Sequence, residues 1–213
     1  VISNATGSAT SDFVFGSNSL DDIGSPGDSR MFFDKSLGAF RAGKVLGDLW
    51  DELNRGSSSI ALGFELKASG EASFASGQYN ESSGVASFTT GSNNTASGPN
   101  SFASGDGNAA SGSNSFVSGI QNTAPSFVET VFGNYGTTYS ATSTTSMEPS
   151  DRLFVIGNGI GPSVRSDALI IYKNGDATLS GILTQNSDAR LKREVTPLED
   201  GLNSITALQG INY

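Results

Sequence analysis

Residues 71–84 read "EASFASGQYNESSG", and the next two stretches, "VASFTTGSNNTASG" (85–98) and "PNSFASGDGNAASG" (99–112), repeat the pattern. "SSSIALGFELKASG" (57–70) precedes them, "SNSFVSGIQNTAPS" (113–126) follows, and a worn sixth copy, "FVETVFGNYG", covers 127–136. The period is 14 residues. A short fixed period marks a chain that stacks small units, each burying its neighbour. Gly63, Gly77, Gly91, Gly105, Gly119 and Gly133 form one column, and Gly70, Gly84, Gly98 and Gly112 a second. Glycine takes positive φ without steric penalty, so the two columns predict two turns per repeat. Segments of about five residues, a common strand length, lie between them.

Helix is excluded over this region, because each unit carries two glycines at about 1 kcal/mol apiece relative to alanine, with many Ser, Thr and Asn that prefer caps and turns. Alternation with period two puts Phe74 on one face and Ala75 on the other. Ile60, Phe74, Phe88, Phe102 and Phe116 then form a ladder down a coil of stacked rungs. Ala68, Ala96, Ala110 and Ala124, interrupted by Ser82, make a small-residue column, and Asn80, Asn94, Asn108 and Asn122 are placed for a side-chain ladder or turn caps. One Phe per rung is a thin core. Burying it contributes roughly 1.5–3 kcal/mol, whereas ordering each residue costs roughly 1–2 kcal/mol in backbone entropy. The balance predicts an obligate homo-oligomer, a parallel homotrimer.

Composition agrees with a structural chain. The 213 residues hold 27 Gly and only 15% charged residues, a balance unlike that of an enzyme core. With neither His nor Cys, the commonest general base, thiolate nucleophiles, disulfides and most metal sites are excluded, so no metal and no cofactor is expected. The net charge of -9 argues against a nucleic acid or an anionic membrane as the partner. No apolar run nears the roughly 20 residues of a membrane-spanning helix, so no membrane insertion is expected in this segment.

The unit S-F-A-S-G followed by A-S-G resembles the head repeats of trimeric autotransporter adhesins, whose usual form is closer to S-V-A-I-G with A-T-G. Here Phe stands at the fourth position and Ser or Thr, in place of Ile, at the sixth. The resemblance implies a left-handed parallel β-roll assembled as a trimer over 57–136. The fold class expected is therefore mainly β, a left-handed parallel β-solenoid of 14-residue rungs with a short C-terminal helix.

In the expected cap, 1–56, "RMFFDKSLGAFRAGK" (30–44) reads as a hairpin, "GDLWDELNRG" (47–56) as a short helix with Asp48 as N-cap, and Trp50 as a plug of the solenoid; 1–29 reads as loop or as a strand swapped onto a neighbouring chain. From 137 to 186 a polar excursion leads into strands at 151–159 and 167–185, with a hairpin turn at Lys173–Asp176. The 187–213 segment holds seven charges, against six in all of 57–136. Thr196, Pro197 and Glu199 form a capping box, followed by a helical face of Leu198, Leu202, Ile205 and Leu208.

Ser187, Asp188, Arg190, Leu191 and Lys192 match the S-D-x-R-L-K motif of the intramolecular chaperone domain of phage tailspikes and tail fibres, and the segment is similar to its opening. The resemblance implies a trimerisation aid that cleaves itself at Asn186-Ser187, with Ser187 as nucleophile and Lys192 as base. The functional expectation is a trimeric adhesive fibre segment outside the cell, in a phage tail fibre, an injection-system fibre or a bacterial surface adhesin, with a cell-surface glycan or protein as receptor. The alternative is a polysaccharide-degrading tailspike, for which Asp21-Asp22, Asp51-Glu52 and Glu199-Asp200 supply carboxylate pairs, or a chain whose chemistry is self-cleavage. "GNGIGPS" (157–163) reads as a plain turn, not a phosphate loop.

Overall fold

The structure is a computed structural model that describes residues 2–4, 13–15, 28–183 and 201–206. It divides into two units, Val1–Gly181 and Ile182–Tyr213. The second is represented by one helix, Gly201–Thr206. The capping box, with Leu198 and Leu208, lies outside the described residues.

The first unit is a parallel β-solenoid. The strands Ile60–Phe64, Phe74–Gln78, Phe88–Ser92, Phe102–Asp106, Phe116–Ile120 and Thr130–Asn134 pair in parallel, each residue opposite its counterpart in the next copy, as Phe74 is opposite Phe88 and Gly77 opposite Gly91. Two-residue strands at Lys67–Ala68, Glu81–Ser82, Thr95–Ala96, Ala109–Ala110 and Thr123–Ala124 stack likewise into a second sheet of five.

The coil interior is lined by the residues that alternate with the phenylalanines. Ala75, Thr89, Ala103, Val117, Val131 and Val155 face Ala68, Ser82, Ala96, Ala110 and Ala124, all buried. Two sheets this close leave room only for short side chains. Ser82 and Thr89 bring hydroxyls inside and satisfy them on each other (2.7 Å) and on Phe74 O (2.7 Å). The phenylalanines themselves lie on the outside. The expected thin core of phenylalanine is thus a core of alanine and valine, with the aromatic ladder on its outer face.

The asparagine column is the third interior element, wholly buried. Asn94 shows its use: Nδ2 donates to Thr90 O (2.9 Å) and Gly105 O (2.8 Å), and Oδ1 accepts Asn108 N (3.0 Å). Asn80, Asn108 and Asn122 repeat the pattern, and the last closes on Gly136 N (2.8 Å). A side chain with both donor and acceptor bridges successive rungs and satisfies carbonyls that the corners leave free.

The two glycine columns differ: Gly70, Gly84, Gly98 and Gly112 open turns as expected, each carbonyl accepting the amide three residues on, as Ser87 N to Gly84 O (3.2 Å). The column from Gly63 to Gly133 lies inside the strands, at positive φ, where rungs approach most closely: a Cβ on Gly91 (φ +101°) would meet Gly105 O at 2.2 Å. The left-handed corners are taken, except at Gly107 (φ 67°), by residues with side chains. Ser58, Ala72, Ala86, Asn100, Asn114 and Val128 take one corner, and Glu65, Tyr79, Asn93, Gln121 and Tyr135 the other, with φ between 45° and 58°. Left-handed backbone costs such a residue roughly 1–2 kcal/mol. Each of these corners is held by a hydrogen bond to the rung before it, as Ala86 N to Glu71 O (2.7 Å) and Asn93 N to Gln78 O (3.1 Å).

The solenoid runs past the regular repeat at both ends. Ala39–Val45 pairs in parallel with Ile60–Phe64, aligning Gly43 with Gly63, and Arg152–Asn158 pairs in parallel with Thr130–Asn134, aligning Gly157 with Gly133. At the first end, Asp28–Asp34 and Ala39–Val45 form the expected hairpin. Trp50 is the plug: it is fully buried with Phe32 and Val45, and its Nε1 donates to Leu66 O (3.0 Å). Arg41 is also buried and donates to Ser59 O, Ser59 Oγ and Ala68 O. Burial and the neighbouring Arg55 lower Arg41 to about 10, while Arg55 pairs with Asp34 at 2.9 Å.

The helix expected over 47–56 is one 3-10 turn, Glu52–Asn54, and the residue before it is Asp51, not Asp48. Drawing Trp50 inward and tying Arg55 Nη1 to Trp50 O (2.8 Å) leaves too few residues to propagate a helix. Ile2–Asn4 and Phe13–Phe15 pair with each other, and the latter with Asp28–Asp34, so these stretches are strands and not loop. At the far end Arg152–Asn158, Asp167–Tyr172 and Ala177–Leu179 form an antiparallel meander, turning at Lys173–Asp176 as expected.

Candidate functional site

The outer face of the long sheet is the most organised surface of the first unit. Parallel, in-register pairing sets equivalent side chains one strand spacing apart, about 4.8 Å. The rings of Phe74, Phe88, Phe102 and Phe116 accordingly stack at centroid distances of 4.8, 5.0 and 4.7 Å, with interplanar angles of 8°, 6° and 1°. Ile60 continues the column upward, opposite Phe74. Below, Thr130 replaces the aromatic residue, and the stack sidesteps to Phe132 (5.3 Å) and then to Phe154 (6.1 Å).

Two residues along each strand runs a parallel column on the same face: Leu62, Ser76, Thr90, Ser104, Ser118, Phe132 and Ile156. Its hydroxyls pair along the axis, Ser76 with Thr90 and Ser104 with Ser118, both at 3.0 Å. Leu62, Phe132 and Ile156 are 36%, 41% and 38% exposed. The face is therefore a half-exposed aromatic ridge beside a hydroxyl row, with apolar side chains at both ends.

The sequence-predicted residues are distributed as follows. The five ladder residues share this face, and Gly63, Gly77, Gly91, Gly105, Gly119 and Gly133 lie within the same strands. Ser187 and Lys192 lie outside the described residues, as do Asp21-Asp22 and Glu199-Asp200. Asp51 and Glu52 belong to the 3-10 region of the cap. Of "GNGIGPS", Gly157 and Asn158 end the strand Arg152–Asn158, and the remainder is a tight turn, with Ile160 N bonded to Val164 O (3.1 Å). Among the described residues there is no group of three or more His, Cys, Asp or Glu able to hold a metal, and no helix long and apolar enough to cross a membrane.

Sequence reasoning missed a polar cluster where the excursion 137–151 crosses the last rung. Glu129 is fully buried there, with Oε2 accepting Ser126 N (2.9 Å) and the Tyr139 hydroxyl (3.1 Å). Lys173 Nζ donates to Ser126 Oγ (2.9 Å), and the Arg152 guanidinium lies 4.4 Å from the Tyr139 ring centroid. The available signal was Glu129 itself, a charge at the position that Ser73, Ser87, Ser101 and Ser115 hold in earlier copies. No protein-family model, no curated protein and no solved structure matches this chain.

Proposed function

We propose that this chain is a segment of a parallel homotrimeric fibre displayed outside the cell, on a phage or injection-system tail or on a bacterial surface, that attaches to a glycan or protein of a target cell. One observation carries the reading: the aromatic ridge of Phe74, Phe88, Phe102 and Phe116 is stacked and ordered yet half-exposed in the single chain. Contiguous apolar surface of this kind is what an interface covers. Three copies related by an axis along the solenoid cover it with one another and leave the polar faces outward. Those faces carry an exposed row of Ser83, Ser97 and Ser111, suited to weak contacts that many copies multiply. The motif from Ser187 to Lys192 supports a C-terminal module that guides the three chains together.

Light scattering on the full chain tests it. The expected mass is three chain masses, and Phe88→Asp combined with Phe102→Asp converts the particle to single chains that keep their β circular dichroism. A monomeric wild type overturns the trimer. Labelled trimer that fails to decorate any cell of a broad bacterial panel overturns attachment separately.

A further inference from the structure

The excursion 137–151 folds back onto the solenoid as a strap. Ser113 N and Phe127 N, at the corners of the last regular rungs, donate to Thr144 O (2.8 Å) and Ser143 O (3.2 Å) of the strap. The strap is pinned in turn by Asp151, whose carboxylate accepts Thr142 N (2.7 Å) and Ser143 N (3.0 Å). Beneath it sits Glu129. Its Oε2 has two donors, Ser126 N and the Tyr139 hydroxyl, and its Oε1 has no hydrogen-bond partner.

We propose that the strap 137–151 is a pH-operated latch, closed over Glu129 while that carboxyl is neutral and released when it ionises. The charged groups around it do not supply the missing bond. Arg152 Nη1 donates to Thr137 O (2.8 Å) and stands 3.7 Å from Asp167, while Lys173 Nζ donates to Ser126 Oγ. Asp151 and Glu148, at the far end of the strap, share the field of Lys173. An ionised Glu129 would thus keep a bare buried oxygen, which water reaches once the strap lifts; leaving a charged group so unsatisfied is costly.

The titration fits this geometry. Burial raises Glu129 from the ordinary 4.5 to about 7, against the opposing pull of Ser126, Tyr139 and Arg152. The closed strap is accordingly favoured in full below the ordinary carboxylate value and loses that preference as pH rises through about 7. Burial acts on Asp151 in the same sense, but the amides of Thr142 and Ser143 outweigh it and hold that carboxyl below its ordinary range, so this second tie stays ionised through the window. Burial pushes the Tyr139 hydroxyl up to about 12, so it remains a donor throughout.

Hydrogen exchange on the full chain at pH 5.5 and 8.5, corrected for intrinsic rates, tests the latch. The amides of Ser113, Phe127, Thr142 and Ser143 are expected to lose at least roughly tenfold protection between the two pH values. Ser97, in the regular coils and bonded to Ala110 O, should not change. In Glu129→Gln the loss disappears. Equal protection at both pH values in the wild type, or the same loss in the glutamine variant, overturns the proposal. Should that variant fold poorly, Tyr139→Phe provides the second test. It removes a donor to the carboxylate and so raises the closed-state carboxyl further, so the loss of protection extends to higher pH and grows; an unchanged pH profile counts against the latch.

Discussion

The inside and the outside of the coil are built by opposite rules from the same strands. Inside, Ala103 is buried against Ala96 and Ala110, in a column whose other members are no longer than Thr89 or Val117. Outside, one residue earlier, Phe102 lies between two further rings with one side open. The interior is closed by backbone proximity, so its tolerance is measured in single atoms. The exterior is ordered by repetition alone, so its ring stack needs no enclosing wall. The two faces should therefore respond very differently to substitution.

The largest effect is expected where backbones meet. Gly91→Ala puts a Cβ within 2.2 Å of Gly105 O at a φ of +101°. A loss of about 3 kcal/mol or more, read as the denaturation midpoint of the purified chain, is the expected result; a near-neutral outcome would show that the rungs can slide apart. Next comes the asparagine column. Asn94→Ala strips partners from Thr90 O, Gly105 O and Asn108 N, all inside the coil, and should cost roughly 2–4 kcal/mol in urea unfolding.

On the outer face, Phe88→Ala in dissociated chains should cost only about 1–2 kcal/mol, because the ring is partly exposed already. A clearly larger cost in the assembled state, measured as a shift in dissociation with chain concentration, would mark this face as the contact between copies. The smallest effect has the opposite sign. Ala86 holds a corner at φ 53°, and Ala86→Gly relieves left-handed strain at some cost in chain entropy, a net gain of about 0.5 kcal/mol readable as a slightly higher Tm. Glycine is thus harmful to replace within the strand and mildly useful to add at the corner.

That last contrast shows what the repeat made legible. The period, the strand class, the ladder of Phe74 to Phe116 and the asparagine column follow from residue type and spacing, because parallel stacking brings each residue beside its own copy. The role of the column from Gly63 to Gly133 did not follow. A glycine column reports that a Cβ is excluded, and both a positive-φ corner and a close backbone approach produce the same column. The rungs at Gly43 and Gly157 were hidden by insertions on the way to Gly63 and from Gly133, which break the spacing while preserving the pairing. Of the candidate face, the aromatic column was legible and the neighbouring hydroxyl column was not. Ser76, Thr90, Ser104 and Ser118 look like ordinary polar filler until the strand register aligns them.

Because each rung touches only copies of itself 14 residues away, the 85–98 segment can be excised and Phe74 would still find Phe102, Asn80 would find Asn108, and Gly77 would find Gly105. The two ends, with Trp50 at one and the strap at the other, are unaffected by how many units lie between them. Length is then a quantity that unequal recombination can set in steps of one strand spacing, with no compensating change elsewhere in the chain.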